Sequence, residues 1–91
     1  MKLLTIDLFL PGCASLKDKR FILSSLKTRL RQRLNVAVSE VDFQEKWQRC
    51  RLAVVTVGES RRVADAGCDR ALALIAKDHR VEVLDSFQEV R

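Results

Sequence analysis

Five basic side chains, Lys17, Lys19, Arg20, Lys27 and Arg31, are the residues of this sequence best suited to engage a partner, and the chemistry they offer is contact with phosphate. An ammonium or guanidinium neutralises phosphate oxygens, the guanidinium with a two-pronged fork. At 100° per residue Lys17, Arg20, Ser24, Lys27 and Arg31 fall along one flank of a helix with no intervening acid, so ion pairs within the helix do not consume their charge. Lys17, Lys19 and Arg20 also occupy the first turn, where positive charge opposes the helix dipole by ~0.3–1 kcal/mol at an exposed site. The amino end of that helix, with free N–H groups beside these cations, has the makings of a phosphate site. The plainer reading is a solvated face, with Lys19 next to the apolar stripe and able to snorkel beside the core.

No other constellation competes. Cys13, Cys50 and Cys68 are odd in number, far apart and accompanied by one histidine, His79, so neither a disulfide framework nor a zinc site has its spacing. They read as small apolar fillers in a reducing cytoplasm, and neither a metal nor a cofactor is expected. His79, beside Asp78, reads as a solvated loop residue, and Asp42 as a turn former. Trp47 reads as a cap over the core, the alternative being an exposed stacking or protein-contact residue.

The elements that must carry these residues follow from periodicity. Leu4, Ile6, Leu8 and Leu10 alternate with Leu3, Thr5, Asp7 and Phe9, the period of a strand, which Pro11-Gly12 ends. The segment LPGC imitates a lipoprotein cleavage site, but Asp7 interrupts the apolar run before it, so residues 3 to 10 read as a buried strand. Ser15 caps a helix starting near Leu16, with Asp18 as the capping-box acid, and Leu16, Leu23, Leu26, Leu30 and Leu34 form its core stripe with Ile22 at the edge. Asn35 to Val41 is a second strand, residues 42 to 49 a polar connection, and Cys50 to Val57 a third, nearly all-apolar and therefore central strand. Ser60 caps a second helix whose face of Val63, Ala64, Gly67, Cys68, Ala71, Leu74 and Ile75 is small enough to approach a sheet closely. Val81 to Val90 closes the chain as a strand with Val81, Val83 and Phe87 facing one way.

Ninety-one residues support one domain, spanning 1–91. The order strand, helix, strand, strand, helix, strand is the split βαβ arrangement: an α/β ferredoxin-like βαββαβ sandwich with an antiparallel four-stranded sheet, order 4-1-3-2, and two helices on one face. The other face is left open and apolar enough to call for a homodimer partner or a packed loop.

The run PGCASLKDKRFILSSLKTRLRQRLNVAVSEVDFQEKWQRCRLAV resembles the YlxP-like family of small bacterial proteins, whose domain is of unknown function, and the register agrees from Leu3 to Glu89. The most specific parts are residues 15–20 (SLKDKR), 35–42 (NVAVSEVD) and Trp47-Gln48-Arg49. The resemblance implies a ferredoxin-like fold and a gene neighbourhood shared with translation and ribosome-maturation factors, and it implies no established activity. Cys13-Ala14 departs from the small-plus-histidine pair often found before the SLK motif, and Gly58-Glu59-Ser60 from a frequent Ser-Asn-Asp.

Two activities hosted by such folds are disfavoured by the residues. A sheet that stacks RNA bases needs aromatics on its central strands, and CRLAVVTV has none. An acylphosphatase-type enzyme needs a phosphate-cradling loop with an arginine and a strand asparagine, whereas the single asparagine, Asn35, sits at a helix end. With a net charge of +5 and a pI near 9.6, the sequence reads as a cytoplasmic, non-enzymatic module that meets RNA or a ribosomal particle through the basic helix, and no membrane. The alternative is a dimerising structural or regulatory module acting through the open sheet face.

Overall fold

Alternation along Lys2–Phe9 (β1) buries Leu4, Ile6 and Leu8 completely while Leu3, Thr5, Asp7 and Phe9 stay half-buried on the opposite side. The computed structural model describes residues 1–58 and 60–91. Glu59, part of the Gly58-Glu59-Ser60 departure, lies outside them. After β1 come helix α1 (Leu16–Arg33), strands β2 (Val36–Asp42) and β3 (Arg49–Thr56), helix α2 (Arg61–Ala76) and strand β4 (Glu82–Val90). The four strands form one antiparallel sheet in the order β2-β3-β1-β4, which is the expected 4-1-3-2 read from the other edge.

Both helices begin where their serines place them. Ser15 Oγ accepts from Asp18 N–H at 3.1 Å and Ser60 Oγ from Val63 N–H at 3.3 Å, each satisfying one of the orphan donors of a first turn. The helices turn Leu23, Leu26 and Leu30 of α1 toward β2, and Ala64, Cys68, Ala71, Leu74 and Ile75 of α2 toward β1 and β3, on the inner side of the sheet. Gly67 sets how closely α2 can approach: a Cβ there would lie 3.2 Å from Thr56 Cγ2. Thr56, itself buried, donates its hydroxyl to the Ala64 carbonyl at 3.1 Å, so strand and helix meet without an unsatisfied group. All three cysteines are buried free thiols.

Three expectations are corrected. Phe87 does not face the core with Val81 and Val83, because β4 slips register between Asp7 and Leu8: Asp7 pairs with Asp85 and Leu8 with Val83, leaving Leu84 as an extra residue. One extra residue reverses the alternation beyond it, so Phe87 stands on the open face opposite Thr5, 62% exposed. Trp47 is 52% exposed and does not cap the core. Val63 lies outside the buried face of α2.

Candidate phosphate-binding surface

The basic flank of α1 divides once its surroundings are in place. Arg20, Lys27 and Arg31 line a groove between α1 and β2 together with Leu23, Ser24, Thr28 and Glu40, enclosing about 170 Å³. Arg31 is steadied there by donating from Nη2 to the Val38 carbonyl at 3.3 Å. Lys17 is exposed one turn before the groove and does not line it. Among the described residues Lys17, Arg20, Lys27 and Arg31 form no ion pair with an acid.

Lys19 belongs elsewhere. Its side chain is only 2% exposed, and its ammonium lies 2.7 Å from Glu40 Oε2 and donates to the Phe43 carbonyl at 2.6 Å. A lysine committed to two internal acceptors has no charge to offer a phosphate, so it is a structural tie between α1 and the β2–β3 hairpin. The amino end of α1 is likewise occupied from within, because the Asp18 carboxylate accepts from Ala14 N–H at 3.2 Å while Ser15 takes the Asp18 N–H. The start of this helix therefore leaves fewer backbone donors free, and the unpaired cations stand along its flank. The loop after β1 turns its carbonyls toward Gln48, whose Nε2 donates to Pro11 O at 3.2 Å and Cys13 O at 3.4 Å. Asn35 is exposed at the far end of α1.

The sequence reading missed how charge is partitioned between layers. The two helices carry ten basic residues and three acids, whereas the four strands carry three basic residues and six acids. The open sheet face is accordingly laced with internal pairs: Arg51 donates to Asp7 from Nε at 2.6 Å and Nη2 at 3.3 Å, and to Asp42 from Nη1 at 3.2 Å. The Arg51 hydrogen bonds hold the Asp7 carboxyl below its usual range. Phe43 lies against Arg51 and its strand neighbour Arg49, its ring centroid 4.8 Å from Arg49 Cζ and 5.1 Å from Arg51 Cζ. It adopts φ 61°, the left-handed region that an aromatic residue enters only at a cost.

A buried acid ties the helix layer together. Asp78, 4% exposed, accepts from Arg80 at 2.5 Å and 2.9 Å and from Arg29 at 3.5 Å, and Arg80 also donates to Ser25 Oγ at 3.2 Å. The Arg80 hydrogen bonds, ahead of the charge of Arg29, hold the Asp78 carboxyl down at about 2. Burial, with the Glu40 carboxylate adding to it, pushes the Cys50 thiol up to about 12 and leaves it an inert core group. Sequence reasoning also passed over Phe21, 72% exposed on the outer side of α1 next to Arg20. The signal was there to see: an aromatic off the leucine stripe, inside a basic run.

A family model described as a protein of unknown function (DUF503) matches residues 1–87. The uncharacterized protein YlxP of Bacillus subtilis (strain 168) is 36% identical over 76 residues, covering 84% of this chain and 73% of that protein. No helix among the described residues is long and apolar enough to cross a membrane.

Proposed function

The chain belongs to the DUF503 family of proteins of unknown function, whose membership carries no activity, and from its surface chemistry we propose that it is a non-enzymatic module that binds RNA, free or in a ribosomal particle, through the phosphate backbone. One observation carries this reading: Arg20, Lys27 and Arg31 line a single groove on α1, unpaired among the described residues, with the Ser24 and Thr28 hydroxyls between them. Cations with hydroxyls interleaved make backbone contacts that position a nucleic acid without reading its bases. Lys17 extends the row by one turn, and Phe21 offers an exposed ring on which a base can stack.

The test is co-sedimentation of the protein with ribosomal particles, retained at low salt and released at high salt, compared with K17Q/R20Q/K27Q/R31Q. Four lost phosphate contacts flatten the slope of log affinity against log salt by about three units and leave the fold intact. Unrelated RNA sequences lose affinity equally. Binding that survives the quadruple substitution, or a parent protein that ignores RNA at low salt, overturns the proposal.

A second reading, homodimerisation through the open sheet face, is favoured by the apolar edge that the β4 register slip creates, where Leu84 is 49% and Phe87 62% exposed beside the half-buried Leu3 and Phe9. Sedimentation equilibrium of the parent and of Phe87→Asp decides it, a dimer that the aspartate converts to monomer being the supporting outcome.

A further inference from the structure

On the other side of α1 from the groove, a cleft opens between the two helices. Arg29 and Arg33 of α1, Arg70 of α2 and Lys77 at its carboxyl cap line it with Leu34, Ala73 and Leu74, and among the described residues no acid does; its volume is about 330 Å³. Arg29 is partly committed to Asp78, but Arg33, Arg70 and Lys77 form no ion pair among the described residues. The preference of helix carboxyl ends for cations accounts for Arg33, in the last turn of α1, and for Lys77, at the end of α2. It does not account for Arg70, in the interior of α2, nor for four cations drawn from two helices around one hollow. Like charges gathered around a common cleft repel, and an anion seated among them reverses the sign of the interaction.

The apolar part of the lining narrows the chemistry. Leu34 and Leu74 are largely buried and Ala73 adds a small side chain, so the cleft pairs an apolar surface with cations. A volume of about 330 Å³ lies at the low end of the ~300–1,000 Å³ range of small-molecule sites and suits one phosphate carrying one flat, weakly polar body. Guanidinium planes also stack on such bodies as well as pairing with phosphate.

We propose that this inter-helix cleft is a nucleotide site, with the phosphate held by Arg33, Arg70 and Lys77 and the base or ribose lying on Leu34, Ala73 and Leu74. The nucleotide unit has two possible sources, a free nucleotide or one residue of an RNA chain crossing the helix layer. The site stands apart from the α1–β2 groove and does not depend on it.

The experiment titrates AMP, inorganic phosphate and a short single-stranded RNA into the full chain at low salt and follows backbone amide shifts. The same titrations are run on R33Q/R70Q/K77Q, on Ala73→Glu and on the groove variant K17Q/R20Q/K27Q/R31Q. All the cleft substitutions fall at exposed positions, in a helix or, for Lys77, at its carboxyl cap, and Ala73→Glu places an acid in the cleft without removing any cation. For a free nucleotide, AMP saturates with its largest shifts at Leu34, Ala73 and Lys77 and binds at least tenfold more tightly than inorganic phosphate. Both cleft variants then weaken it at least tenfold, and the groove variant leaves it unchanged. If AMP does not saturate but the RNA loses at least tenfold in both cleft variants, the site stands and its nucleotide comes from the chain. The proposal is overturned if neither probe responds to the cleft variants, or if AMP binds no better than inorganic phosphate with shifts spread over every exposed cation. Loss of RNA binding in the groove variant alone tests the groove and leaves the cleft result to be read by AMP.

Discussion

Lys19 Nζ donates to the carbonyl oxygen of Phe43 at 2.6 Å, joining the first turn of α1 to a residue held at φ 61°. The same ammonium lies 2.7 Å from Glu40 Oε2, just before the register shift between Glu40 and Asp42 that turns the end of β2. One buried lysine thus fixes a bulge, a left-handed residue and a helix start.

Lys19→Met leaves the buried Oε2 of Glu40 and the Phe43 carbonyl without the ammonium they share, so it destabilises the protein by ~1–3 kcal/mol. Lys17→Gln, two residues away and exposed, stays within about 0.5 kcal/mol of the parent. Urea unfolding of the two variants checks the contrast. Equal stabilities would mean that Lys19 is a surface residue.

At Phe43 two effects oppose each other. The ring covers Arg49 and Arg51, but its backbone stands where a Cβ costs ~1–2 kcal/mol. Phe43→Ala loses the ring and keeps the strain, whereas Phe43→Gly loses both, so the glycine variant unfolds at higher urea by about 1 kcal/mol of stability. An alanine variant at least as stable as the glycine variant would remove strain from the account.

Asp78 contributes to the acid limb of stability. Its carboxyl titrates at about 2 in the folded protein against an ordinary 3.8, so the folded state gains stability above pH 3.8 and loses it as pH falls through about 2. The contribution is roughly 2 kcal/mol. In thermal melts between pH 2 and 6, Asp78→Asn is less stable than the parent at pH 6 and shows a flatter decline below pH 4.

The thiols provide a check on the core. Cys13, Cys50 and Cys68 are at most 3% exposed, and Cys50 is held protonated to about pH 12. The native protein at pH 8 therefore reacts with a thiol reagent only as fast as it opens, and all three thiols label at once in denaturant. Rapid labelling of one thiol in the native state would show that its pocket is open. For Cys50 the raised value also means stability that is full below pH 9 and lost as pH climbs toward 12.

Local signals made the fold legible. Ser15 and Ser60 announce the helices because capping depends on a side chain within three residues, and the leucines of β1 announce their face because alternation is a property of the backbone. Features that depend on contacts between elements did not announce themselves. Nothing near Lys19 in sequence shows that Glu40 and the Phe43 carbonyl await it across the hairpin. By simple alternation Phe87 belongs to the core face, but a single unpaired residue, Leu84, reverses the parity of β4, and Leu84 looks like any other strand residue. Arg33 and Arg70 are 37 positions apart and share a cleft only after the helices pack. Arg20, Lys27 and Arg31 were legible as a set because one helix carries all three.

The segregation of ten helix cations from six strand acids gives the molecule an electric moment running from the sheet toward the helices. Near a polyanion this moment exerts a torque, and the protein arrives with its helix layer leading before any contact forms. Encounter is then biased toward one orientation over distances of about a Debye length, ~8 Å at physiological salt, and the bias fades as added salt shortens that reach. The sheet side, with its acids turned away from the approaching charge, stays available to a second molecule while the first is bound.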